Sequence, residues 1–142
     1  MIRAPIFVLP PPALITTVCG VTPTRDALLR LAAAAATFTP EWDDPEPLDY
    51  VDVWDLVSHL QSQLAEGEAD EVAAVLQLAE ELLAEGDPGV DNFLQVGFFE
   101  SIQNTSESHG LVQEAFEPYL GPRSKALWLE LNNLWGGSTT PD

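Results

Sequence analysis

Asp87-Pro88-Gly89-Val90-Asp91-Asn92-Phe93-Leu94-Gln95-Val96-Gly97-Phe98-Phe99-Glu100-Ser101-Ile102-Gln103-Asn104 starts in the way helices start. Asp87 is a side-chain acceptor placed to cap free amides, and Pro88 brings a preset φ to the first turn. Behind them Val90, Phe93, Leu94, Val96, Phe98, Phe99 and Ile102 leave almost no face without an apolar side chain. A helix that is apolar nearly all round must be surrounded by others, so this one is expected at the centre of a bundle.

The flanking sequence supplies the neighbours. Val53, Leu56, Val57, Leu60 and Leu64 recur at helical spacing before Gly67, and Val72, Val75, Leu76, Ala79, Leu82 and Leu83 do so before Gly86. The short connection at Gly67 makes these two antiparallel neighbours. Upstream, Thr22 with Pro23, or Thr24, caps a helix carrying Ala27, Leu28, Leu31, Ala34 and Ala35, which fails near Phe38-Thr39-Pro40. Glu41 to Tyr50 has no periodicity and reads as a long loop. Asn104 to His109 is a polar break, Leu111 to Leu120 a further segment stopped by Gly121-Pro122, and Ala126 to Trp135 the last helix. Trp128 and Trp135 share one stripe of it and read as core. The expected fold class is all-α: a single domain of five or six helices in antiparallel hairpins over residues 23–135. A proline-rich, extended N-terminal arm over residues 1–22 precedes it, and a flexible tail over residues 136–142 follows.

Charge is distributed unevenly over this framework. Between Leu31 and Pro122 lie twenty Asp and Glu residues and no Lys or Arg; Arg3, Arg25 and Arg30 precede the window, and Arg123 and Lys125 follow it. Folded surfaces usually intersperse both signs, because like charges on a compact body repel. A formal charge of −18 and a pI near 4.1 exclude nonspecific binding to nucleic acid or anionic membranes, both of which are polyanions. A basic protein, a metal ion or plain solubility remain. Cys19 is the only cysteine, so no internal disulfide is possible and a reducing compartment is compatible. Pro5, Pro10, Pro11 and Pro12 interrupt the apolar run from Ile6 to Cys19, which speaks against both a signal peptide and a membrane span. The expected location is cytoplasmic.

Two features single out residues. Advancing about 100° per residue from Asp91 places Glu100 about 180° away, on the apolar side between Phe93 and Val96. Glu100 is therefore expected to be an at least partly buried, structural acid paired with Arg30, Arg123, Lys125 or backbone amides. The second feature is the cluster Glu41, Asp43, Asp44, Glu46, Asp49, Asp52 and Asp55, with Trp42, Tyr50 and Trp54 among its charges. A solvated face, a protein interface and a calcium site are the three readings. Aromatic residues favour the interface, while the missing Asp-x-Asp-x-Asp-Gly spacing weakens the calcium reading. Asp70 and Glu71 suit a helix N-terminus, and Glu80, Glu81 and Glu85 read as solvated surface. His59 and His109 have no companions at metal-ligand spacing. No catalytic motif is present, and neither an enzyme, a cofactor nor a metal is expected.

The run from Leu83 to Asn92 leading into Val96-Gly97-Phe98-Phe99-Glu100-Ser101-Ile102-Gln103-Asn104, together with Tyr119-Leu120-Gly121-Pro122 and Trp128, resembles a family of small acidic bacterial proteins of uncharacterised function. Those are similar to immunity proteins encoded beside secreted polymorphic toxins. The resemblance covers roughly residues 50 to 135. It implies an all-α fold with Glu100 and Asn104 as signature positions, and no catalytic residues. The expected function is a cytoplasmic acidic protein that inhibits a basic partner, as an immunity protein occluding a toxin's active site. Its partner-binding residues would be Trp42, Asp43, Asp44, Glu46, Asp49, Tyr50, Asp52, Trp54 and Asp55. Changing Asp43, Asp44 and Asp49 together to Asn should slow association and leave the melting temperature unchanged or raised. The alternative is a structural or adaptor module of a larger bacterial assembly. The oligomeric state stays open.

Overall fold

A computed structural model describes residues 22–42 and 48–135. Their order is α1 (Pro23–Ala34), α2 (Asp49–Ala65), α3 (Asp70–Glu85), α4 (Pro88–Asn92), a π-helical segment (Phe93–Phe99), α5 (Glu100–Thr105), two 3₁₀ turns (Ser106–His109 and Gln113–Tyr119) and α6 (Pro122–Trp135). No strand occurs among the described residues, and the fold is all-α as the periodicity predicts. The proposed arm, except for Thr22, and the proposed tail lie outside the described residues.

Capping chemistry explains three of the boundaries. Thr22 Oγ1 accepts from the Arg25 amide at 3.1 Å and Pro23 opens α1. Asp87 Oδ1 accepts from the Val90 amide at 3.0 Å, with Pro88 in the first turn of α4. Gly86 ends α3 at φ 77°, a left-handed conformation that glycine adopts without steric cost. Three boundaries differ from expectation. α1 stops at Ala34, before the Phe38-Thr39-Pro40 breaker, α2 starts at Asp49, inside the stretch that reads as loop, and α6 starts at Pro122, four residues before Ala126.

The central run is continuous from Pro88 to Thr105, but its middle is wound as a π-helix. Phe93, Leu94, Phe98, Phe99 and Ile102 are fully buried in it. α2 packs along the π-helical segment, while α3 packs against α1 and α6. Phe99 meets Trp128 of α6 edge-on with ring centroids 6.4 Å apart, and Phe116 from the second 3₁₀ turn lies 6.3 Å from the same indole. Gln61 of α2 is buried, and its Nε2 donates to the Ile102 carbonyl at 3.2 Å and to Thr105 Oγ1 at 2.9 Å. These bonds tie α2 to the end of the central run. A buried amide left unpaired there would be costly, so the contact also fixes register.

Candidate functional site

The first turns of α2 present two different faces. On one, Asp52 Oδ2 receives Arg25 Nη2 of α1 at 2.9 Å, and Asp49 Oδ1 lies 2.6 Å from Arg25 Nε as an ion-pair contact. The Arg25 guanidinium also sits 5.8 Å from the Trp42 ring centre, and Trp42 Nε1 donates to Asp55 Oδ2 at 3.0 Å. Phe38 packs on Trp42 with centroids 5.8 Å apart. Trp42, Asp49, Asp52 and Asp55 are thus engaged within the fold around one arginine. Neutralising Asp49 would therefore cost stability, against the unchanged or raised melting temperature expected when Asp43, Asp44 and Asp49 are changed together to Asn. Asp43, Asp44 and Glu46 lie outside the described residues.

On the other face, Tyr50 and Trp54 stand one helical turn apart beside the π-helical segment. They form one wall of a groove of about 320 Å³, completed by Val96, Gly97, Glu100 and Asn104. Tyr50 is fixed in place. Its hydroxyl accepts from Asn92 Nδ2 at 2.7 Å, and its ring meets Phe93 edge-on at 5.4 Å. A Cβ at Gly97 would come within 3.2 Å of the Tyr50 ring, so the glycine is what lets the wall close on the helix. Trp54 keeps 57% of its surface exposed, and Leu48, Val51 and Val96 are exposed beside it. Together they make an exposed apolar strip on an acidic protein.

Glu100 is partly buried, as its position predicts, but it lies on the groove and not against a cation. The π-helical segment holds more residues per turn than an α-helix, and seven such residues retard the phase by roughly one position, about 100°. The angular count that put Glu100 on the apolar side between Phe93 and Val96 assumed an unbroken α-helix. Its expected cations are elsewhere. Arg30 lies 3.9 Å from Asp26 and 3.7 Å from Glu85, Arg123 lies 3.9 Å from Glu80, and Lys125 lies 3.9 Å from Glu117. Among the described residues Glu100 and Asn104 have no side-chain partner.

The buried structural acid is Glu80, which reads as solvated in sequence and is only 9% exposed. It accepts from the Arg123 and Ser124 amides and from Ser124 Oγ, at 2.9 to 3.1 Å, closing the start of α6. Burial pushes its pKa up, but the hydrogen bonds from Ser124 and Arg123 outweigh that and hold the carboxyl below its ordinary value. Glu71 likewise is more than a helix-start charge. It accepts from Thr37 Oγ1 and lies 2.8 Å from His59 Nε2, contacts that lower its pKa against the opposing effect of burial.

No group of three or more His, Cys, Asp or Glu among the described residues is placed to hold a metal ion, and no described helix is long and apolar enough to cross a membrane. Fold and groove together define an acidic all-α protein with an aromatic-walled, carboxylate-bearing depression. The chain belongs to the family described as "Domain of unknown function (DUF7674)", whose match spans residues 28–136. No curated protein and no solved structure matches it.

Proposed function

We propose that this chain is a cytoplasmic binding protein for a basic partner, acting as an inhibitor in the manner of an immunity protein. The observation that carries this reading is the exposed Tyr50–Trp54 face beside a carboxylate that has no internal cation. The acids around it would steer a cationic surface and speed encounter, and Trp54 would supply the anchor. Leu48 and Val51 extend the apolar contact along α2. Occlusion of the partner's working surface is the simplest mechanism, because it asks nothing catalytic of this chain.

An aromatic photo-reactive residue, which keeps a ring at the anchor, placed at position 54 and separately at exposed Gln77 on α3, tests the reading in the source cells. A basic protein should crosslink from position 54 and not from position 77. Stoichiometric addition of the intact chain should then suppress that protein's activity. Equal crosslinking from both positions, or an acidic partner, would contradict the reading. A partner captured at position 54 whose activity is unaffected would favour the adaptor alternative.

A further inference from the structure

We propose that the groove between α2 and the π-helical segment is a receptor for one arginine side chain of the partner. This rests on the reading of a basic partner and adds which chemical group is recognised, and where.

The one charged group lining the groove, the Glu100 carboxylate, is an acceptor. Ser101 Oγ donates to the Gly97 carbonyl at 2.7 Å, and Thr105 Oγ1 donates to the Ser101 carbonyl at 2.7 Å. Both hydroxyl hydrogens are thus spent on the helix itself. The Glu100 carboxylate is the charged acceptor left to an occupant, and the Asn104 amide, which can both accept and donate, lines the groove with it. A group rich in donors and positively charged is the complement.

The walls select further. Tyr50 is held by Asn92, Phe93 and Gly97, and Trp54 stands one turn along, so two aromatic rings line the groove with Glu100. A planar guanidinium can stack flat on such a ring while directing its fork of donors at a carboxylate; a lysine ammonium also donates and attracts a ring, but as a compact charge it has no plane to stack and no bidentate fork. The described cations are all engaged with other acids, so none of them competes for Glu100. Charge complementarity with a chain of net charge −18 completes the case.

Titration of the full chain with N-acetyl-arginine methylamide, followed by ¹H–¹⁵N NMR, tests this directly. Saturable shifts should be confined to the Trp54 indole N–H, the Gly97 amide and the Asn104 side chain, with a Kd on the order of millimolar. The neutral isostere N-acetyl-citrulline methylamide should bind at least fivefold more weakly, and so should Trp54→Ala and Glu100→Gln with arginine. Glu100→Gln should leave the melting temperature unchanged, and Glu68→Gln, which removes the same charge from an exposed turn, should leave the Kd unchanged. Equal binding of citrulline, absence of any saturable shift in the groove, or tighter binding of N-acetyl-lysine methylamide would overturn the assignment. Shifts spread over the acidic surface and weakened equally by Glu100→Gln and Glu68→Gln would also overturn it. That result would leave a basic partner standing, since the partner itself is tested by crosslinking.

Discussion

Glu80 of α3 caps a helix that begins more than forty residues later: its Oε1 accepts from the Ser124 amide at 2.9 Å and from Ser124 Oγ at 3.0 Å. The position before α6 is Gly121, which has no side chain to do this work. A Cβ at Gly121 would lie 2.6 Å from the Glu80 carboxyl, so the missing side chain is what admits the distant cap. Glu80→Gln replaces one acceptor oxygen with a donor facing amides and should cost roughly 1–3 kcal/mol by urea unfolding. Gly121→Ala should cost a similar amount, roughly 1–3 kcal/mol, through overpacking.

The same contact sets a pH dependence. Glu80 has a folded pKa below its ordinary value of 4.5, so the folded state takes up this proton at lower pH than the unfolded chain. Its stabilisation is complete above pH 4.5 and is lost as pH falls through the folded value. Glu80→Gln resembles the protonated form. The stability gap between wild type and Glu80→Gln should therefore be largest at pH 7 and narrow below pH 4.5. Relief of repulsion among other carboxylates affects both proteins and cancels in the difference. A gap independent of pH would contradict the assignment.

Arg25 joins α1 to α2 through Asp49 and Asp52. Arg25→Ala leaves two carboxylates without their cation and should destabilise by roughly 2–4 kcal/mol, somewhat below a fully buried pair because Asp49 is partly exposed. Thermal unfolding of Arg25→Ala checks this, and an unchanged melting temperature would show that the pairing contributes nothing.

Trp128 is fully buried, yet its indole N–H has no hydrogen-bond partner among the described residues. Its contribution is packing against Phe99 and Phe116. Trp128→Ala should cost about 3–5 kcal/mol. Trp128→Phe removes the unpaired donor along with some volume and should cost no more than about 1.5 kcal/mol. Comparable losses in both variants would mean that the N–H is bonded after all.

These contacts show what was legible in the sequence. The helices could be read because Val72, Val75, Leu76 and Ala79 repeat at the helical period, and because Asp87-Pro88 and Gly86 mark ends by local chemistry. Tyr50 and Trp54 stood out as aromatics among acids. The role of Glu80 could not be read, since it sits beside Glu81 on α3 and its partners are 43 and 44 residues away. Asp49 and Asp52 looked available to a partner because their cation, Arg25, lies outside the acidic window and reaches them only through the fold. Glu100 was misplaced because periodicity carries no sign of a π-helical segment, and every angle after Phe93 inherits its phase shift. The one available hint was Gly97 in the middle of an otherwise bulky apolar run.

The Kd of the protein captured at position 54, measured by calorimetry, is the most direct test of whether the Tyr50–Trp54–Glu100 face, rather than overall acidity, makes this chain a binding protein. Trp54→Ala should weaken binding by roughly tenfold or more, as expected for a central aromatic anchor, and Glu100→Gln should weaken it by a smaller factor. Glu68→Gln should bind as wild type does. Equal affinity for Trp54→Ala, Glu100→Gln and wild type would contradict the claim.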